Sequence, residues 1–192
     1  MLQLIFTLIS IVIFIVIALL IIYSFFSQVY QSFFNADKFV PFVPSRGDVA
    51  SKIVTFGDIE DGHSIIELGS GTGTLVFGIA KLRKINILGI EKSLYLTLIA
   101  KLRSFFIKTD SQITLKHGDL LNEDFSKYDR IVFFLTPNIV KNYLHDKFLK
   151  ECKKDVVIIS HGFRMESNQF TEERFESGHW SFQRFVYVYK RS

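Results

Sequence analysis

Hydrophobic and polar positions follow two different patterns along this chain. From Leu4 to Phe26 the residues are apolar at every helical angle, interrupted only by Thr7, Ser10 and Ser24. After Asp37 the apolar runs shorten and alternate with amphipathic stretches. The first pattern predicts one long helix of about 34 Å at 1.5 Å per residue, enough for a hydrocarbon core of about 30 Å. It is apolar all round, unlike a helix that lies on a membrane surface. The second pattern predicts strands at Ser64–Leu68, Ile85–Ile90, Gln112–Lys116, Arg130–Leu135 and Val156–Ser160, with a last strand through Phe185–Tyr189. Between them lie helices over Gly73–Arg83, from Ser93 to near Ile107, and from Thr136-Pro137 onward with Ile139, Val140, Tyr143, Leu144 and Phe148 on its inner side. A capping box, Ser45-x-x-Asp48, opens an earlier helix that ends near Phe56. Pro41 and Pro44 keep the chain before it extended. No element is predicted between Phe163 and Phe185. Strand–helix alternation of this kind gives an α/β fold: a Rossmann-like, mainly parallel sheet with helices on both faces.

Charge sharpens the division. None of the 42 charged residues precedes Asp37, so residues 37–192 are about 27% charged, close to an ordinary globular domain. The expected organisation is a transmembrane anchor and juxtamembrane helix over 1–36, then a domain over 37–192. A cleaved signal peptide would need a basic amino flank, a shorter apolar core and a small-residue cleavage site, and the first residues offer none of these. Lys38, Arg46 and Lys52 on the carboxyl side place the domain on the cytoplasmic face of a single-pass membrane protein. The lone Cys152 excludes an internal disulfide and a Cys-rich zinc site. The histidines form no H-x-x-x-H pair, so no metal is expected. The cluster Lys81-Leu82-Arg83-Lys84 reads as a solvated helix face, and no nucleic-acid partner is expected.

The candidate chemistry sits between the first strand and its helix, at Glu67-Leu68-Gly69-Ser70-Gly71-Thr72-Gly73. Glycines there let the chain turn sharply and let a ligand approach the backbone and the helix amino terminus. The turn is not a Walker loop, because no Gly-Lys pair occurs. Nor is it a dinucleotide fingerprint, since position 74 holds Thr74 rather than glycine. Glu91 ends the second strand 20 residues beyond Gly71, where a carboxylate can accept hydrogen bonds from both hydroxyls of a ribose; a solvated strand-end charge is the alternative. Gly118-Asp119 follows the third strand.

The acidic-x-Gly-x-Gly-x-Gly spacing resembles motif I of class I S-adenosylmethionine-dependent methyltransferases. The resemblance implies S-adenosyl-L-methionine as cofactor. It implies that Glu67, Gly69, Ser70, Gly71, Thr72 and Gly73 hold its methionine part, Glu91 its ribose, and Asp119 the adenine amino group, although Asp119 also serves as an ordinary turn residue. Phe42-Val43-Pro44-Ser45, Gly89-Ile90-Glu91, Gly118-Asp119-Leu120, Phe134-Leu135-Thr136-Pro137 and Ser160-His161-Gly162-Phe163 occur in order along the chain. Over residues 38–165 the chain is similar to the membrane-anchored lysine methyltransferase family. The eukaryotic members of that family modify the adenine nucleotide translocase and the ATP synthase c subunit in mitochondria, so the resemblance implies the inner mitochondrial membrane if the chain is eukaryotic; prokaryotic relatives exist. Thr72 stands where that family usually carries Asp.

What this likeness implies is a methyltransferase that modifies lysine on a membrane protein, with the bilayer as a further partner. Phe42, Thr136, Pro137 and Phe163 are the candidates for the wall of the substrate pocket. Thr136-Pro137 is equally an N-cap and N1 pair, Phe42 equally a packing residue, and His161 either a general base or structural. An O- or C-methyltransferase acting on a lipophilic small molecule, and a non-catalytic membrane interaction module, are the competing functions.

Overall fold

In the computed structural model, residues 2–34, 49–177 and 183–191 are described below. The chain divides into two compact units, Met1–Pro41 and Phe42–Ser192. The first contains helix α1, Leu2–Phe34. Its window Gln3–Leu20 is long and apolar enough to cross a membrane. The hydroxyls of Thr7 and Ser10 donate to the carbonyls of Gln3 and Phe6, both at 2.9 Å. These two polar side chains therefore return their hydrogen bonds to the helix's own backbone.

The second unit is built on a seven-stranded sheet in the order β3-β2-β1-β4-β5-β7-β6. The strands are β1 (Ser64–Leu68), β2 (Asn86–Glu91), β3 (Gln112–His117), β4 (Arg130–Phe133), β5 (Val157–His161), β6 (Phe170–Glu176) and β7 (Phe185–Arg191). The first five pair in parallel, and β7 runs antiparallel between β5 and β6. Helices α2 (Val49–Phe56), α3 (Thr74–Ala80) and α4 (Leu94–Ser104) connect or flank the early strands. The mainly parallel Rossmann-like sheet expected from the alternation pattern is present. Apolar residues of α2 and α3 (Ile53, Val76, Ile79) meet the strand residues Ile65, Ile87, Val132 and Ile159 in one core. Arg130 is almost fully buried and donates to the carbonyls of Gly57 and Asp58, which ties the end of α2 to β4.

Two elements differ from expectation. The sequence pattern does not predict strand β6, because four of its seven residues are charged and only Phe170 is buried. It is an edge strand recruited by β7, with Phe175 stacked on Phe56 at 4.1 Å between ring centres. The helix after Thr136 is also irregular: α5 (Pro137–Ile139) passes through a π-helical turn (Val140–Leu144) into α6 (His145–Glu151). Val140, Leu144 and Phe148 are all buried. A spacing of four and four drifts by about 40° per step in a regular α-helix, and one wider turn keeps the three on the same side. The capping box at Ser45 lies outside the described residues.

Candidate active site

Because β1 to β5 are parallel, their carboxyl ends, Leu68, Glu91, His117, Phe133 and His161, share one edge of the sheet. The chain leaves β1 toward β2 on one side and later returns to β4 on the other. That switch in direction opens a crevice at the end of β1, and the glycine turn occupies its rim.

Gly69, Gly71 and Gly73 all have positive φ, at 74°, 53° and 80°. Residues with a Cβ adopt this region only under strain. The turn is held down by the amides of Gly69 and Ser70, which donate to the carbonyl of Ile90 at 2.9 and 3.0 Å. Beneath it, a Cβ on Gly89 would lie 2.8 Å from Val76 Cγ2 and 2.9 Å from Ser70 Oγ. The glycine in β2 is thus what lets the turn settle onto the sheet.

Two carboxylates organise this turn. Glu91 Oε2 accepts the Gly71 amide at 2.9 Å, and Oε1 accepts the Ser93 amide at 2.8 Å. Each oxygen keeps further acceptor capacity, since an ionised carboxylate offers about four lone-pair sites. Glu67 is 4% exposed, and its Oε2 accepts the Val76 amide at 2.9 Å, satisfying a donor in the first turn of α3 that has no helical partner. Burial pushes the Glu67 carboxyl well above the ordinary carboxylate range; the Val76 amide opposes this and the neighbouring Glu91 charge adds to it.

Arg103, near the end of α4, joins the site without having been marked by any sequence motif. Its Nη1 donates to the Thr72 carbonyl at 2.7 Å, to Thr72 Oγ1 at 3.0 Å and to Thr74 Oγ1 at 3.3 Å. The guanidinium also lies 5.4 Å from the centre of the Phe77 ring. One cation therefore clamps the crest of the turn from 31 residues away in sequence. In the sequence Arg103 looks like any basic residue in a last helical turn.

Asp119 does serve the turn beyond β3, where its Oδ1 accepts the Leu121 amide at 3.0 Å. Its Oδ2 is 3.7 Å from Lys92 Nζ, next to Glu91 in the chain, so Asp119 faces the same edge. Thr136 precedes Pro137 at the first helical position, but its side chain makes no capping hydrogen bond; its carbonyl accepts from Ile139 and Val140 instead. Thr136 is half-buried and Pro137 exposed. A Cβ on Gly69 would come within 3.1 Å of Leu135, so the end of β4 abuts the turn. Beyond it, Phe134 lies 5.8 Å from Phe163 and 4.9 Å from His161, ring centre to ring centre. His161 is wholly buried, with Nε2 3.2 Å from the Gln183 carbonyl. This packing is consistent with a structural role for His161. Phe42 and Ser45 lie outside the described residues.

The ANTKMT methyltransferase domain family matches residues 67–172, from the acidic residue of the turn to the start of β6. A probable ribosomal RNA small subunit methyltransferase A from Methanosphaera stadtmanae is 35% identical over 80 residues, 42% of this chain. That stretch spans only 29% of the relative's length. Among solved structures, an RNA methyltransferase from Salinibacter ruber in complex with S-adenosyl-L-homocysteine superposes with a TM-score of 0.63 at 21% identity, over 77% of this chain and 91% of the other. A dimethyladenosine transferase from Plasmodium falciparum gives 0.60 at 16% identity, over 79% and 64%. At these identities the structural likeness is one of fold.

Proposed function

The chain belongs to the ANTKMT methyltransferase domain family and is an S-adenosyl-L-methionine-dependent methyltransferase, and on that premise we propose that it is anchored in a membrane by α1 and methylates lysine on a membrane protein. The observation that supports the placement of the cofactor is the joined pair of the glycine turn and Glu91, linked through the Gly71 amide at the switch point. The residues fit the cofactor. Three glycines in left-handed conformation bring the backbone of the turn to the rim of the crevice, and Glu91 has acceptor capacity for a ribose diol. Glu67 supplies a carboxyl whose ionisation is disfavoured by burial and by the neighbouring Glu91 charge; the α-ammonium of a methionine moiety would offset both effects. Asp119 is available to the adenine amino group. Gly69, Ser70, Gly71, Thr72 and Gly73 complete the cradle.

When bound, the cofactor supplies an electrophilic methyl on a sulfonium. The protein's work is then to orient an acceptor in line with it and to keep water away, and proximity and orientation carry most of such a rate enhancement. Phe134 and Phe163 provide an apolar wall at the ends of β4 and β5, with Thr136 and Pro137 beside it. In such surroundings a lysine ammonium loses its proton more easily, because burial disfavours the charged form. The uncharged first 36 residues, and the basic residues that follow them, support a single-pass anchor with the domain on the cytoplasmic side.

A second reading, methylation of RNA, is favoured by the relative from Methanosphaera stadtmanae. The test is incubation of the full chain with its native membranes and isotopically labelled cofactor. Label recovered on lysine of a membrane protein is the expected result. Label confined to RNA supports the second reading. Label confined to lipid or quinone leaves the lipophilic small-molecule alternative, and either outcome refutes protein methylation.

A further inference from the structure

Helix α4 reads Leu94-Tyr95-Leu96-Thr97-Leu98-Ile99-Ala100-Lys101-Leu102-Arg103-Ser104 and is apolar on nearly every side. Such a helix is ordinarily enclosed. Among the described residues only one side is covered: Thr97 and Ala100 are buried, against β2 and β3. On the opposite side Leu94, Leu98, Leu102 and Phe105 are 56%, 55%, 63% and 84% exposed. Their spacing places them within an arc of about 80° on the helix surface. Phe106, at 80%, and Leu82, at 43%, are also exposed at this end of the domain. Isolated exposed apolar residues need no explanation, but a continuous row of them marks an interaction surface.

The charge around this row is one-sided. Residues 81–110 carry seven basic side chains (Lys81, Arg83, Lys84, Lys92, Lys101, Arg103 and Lys108) and two acidic, Glu91 and Asp110. That local net of +5 exceeds the +4 of the whole chain, so the remainder is net negative. Lys101 borders the outward arc itself, and Lys81, Arg83, Lys84 and Lys108 flank its distal end.

We propose that the outer face of α4 docks on the surface of an anionic bilayer, with Leu98, Leu102 and Phe105 entering the headgroup–acyl boundary and Lys101, Lys108, Lys81 and Lys84 meeting lipid phosphates. An apolar stripe with a cationic rim is the pattern that binds such an interface. A second copy of this face is disfavoured, since two faces rimmed by basic side chains would repel. Nucleic acid is disfavoured because the centre of the face is aliphatic and aromatic, with the cations at its rim. The proposal rests on the reading of α1 as an anchor only in that the anchor would keep α4 at a high effective concentration near the same bilayer. Helix α4 begins directly after Ser93, whose amide is held by Glu91, so docking would set the candidate active site beside the membrane surface.

The experiment uses the full chain in vesicles of phosphatidylcholine, with and without phosphatidylglycerol, carrying an environment-sensitive fluorophore on Phe105→Cys. Cys152 is buried and its thiol is pushed up to about 12, so it stays unlabelled. Thr171→Cys, exposed on β6 at the opposite edge of the sheet, is the control site. The expected result is a blue-shifted emission at the Phe105→Cys site, quenching by nitroxide-labelled lipid, and several-fold weaker quenching by iodide than at the Thr171→Cys site. Phosphatidylglycerol should strengthen all three, and Leu98→Glu in the labelled chain should reverse them. Alkaline extraction reports separately on α1. A chain that resists extraction while its Phe105→Cys probe stays open to iodide overturns the docking and leaves the anchor. A chain that is extracted, yet shows the lipid-quenched probe beforehand, upholds the docking and overturns the anchor. Shielding from iodide without lipid quenching, rising with protein concentration, assigns the face to a second copy and overturns the proposal.

Discussion

Replacing Glu91 with alanine tests the link between the glycine turn and the proposed ribose contact. In the structure the carboxylate already accepts two backbone amides, those of Gly71 and Ser93. A ribose diol would add two more hydrogen bonds to a charged acceptor, each worth about 1.5–3 kcal/mol. Their joint loss predicts a decrease in S-adenosyl-L-homocysteine affinity of about 10²- to 10⁴-fold. The same substitution strips the Gly71 amide of its acceptor, at a further cost of about 1–3 kcal/mol to the turn. Affinity loss alone therefore does not separate a direct contact from a disordered turn. A cycle with a 2′-deoxyribose analogue does. Removing that hydroxyl should weaken binding to the wild type by about 1.5–3 kcal/mol and leave the Glu91→Ala variant nearly indifferent, because the partner is already gone. Isothermal titration of both ligands against both proteins gives the four values. If the variant still discriminates between the two ligands as strongly as the wild type does, Glu91 does not touch the ribose, and its role is confined to holding the turn.

Arg103→Met keeps an apolar side chain beside Phe77 but removes the hydrogen bonds to Thr72 and Thr74; cofactor affinity should fall about tenfold or more while thermal stability changes little, and equal affinity in calorimetry would show that the clamp is dispensable. Gly89→Ala forces a Cβ to 2.8 Å from Val76 Cγ2 and 2.9 Å from Ser70 Oγ; the expected loss is about 1–3 kcal/mol in denaturant unfolding, together with weaker cofactor binding, and an unchanged midpoint would contradict the packing described. Glu67 gives a pH signature. Its carboxyl ionises well above the ordinary value in the folded chain, so the native state retains a proton that the unfolded chain releases near its usual carboxylate pKa of about 4.3. Stability from this group is therefore greatest below that value and declines as pH rises toward the folded-state value. Glu67→Gln should flatten this decline in ligand-free melting curves while still accepting the Val76 amide, and identical slopes for variant and wild type would refute the assignment.

Much of this protein is determined by its sequence alone. A long run of residues that is apolar at every helical angle reads as a helix, so α1 follows from composition and length. The five parallel strands are short, apolar and separated by helical periodicity, and buried strands of this kind carry their own local signal. The glycine turn is legible because left-handed backbone requires glycine at fixed spacing, and Glu91 because strand length fixes how far beyond the turn a strand-end carboxylate falls. What the tertiary structure decided involves partners distant in sequence. Strand β6 exists because β7 offers it an edge; its own charged residues argue against it. Arg103 matters only once α4 packs beside the turn, and the Val76 amide claims Glu67 only once α3 stacks on β1. The outer face of α4 is the clearest case. From sequence it is a helix apolar on most sides, and only the folded chain shows that the sheet covers one side and leaves a row of leucines and phenylalanines exposed, because periodicity records how much apolar surface a helix has but not how much of it the rest of the chain can reach.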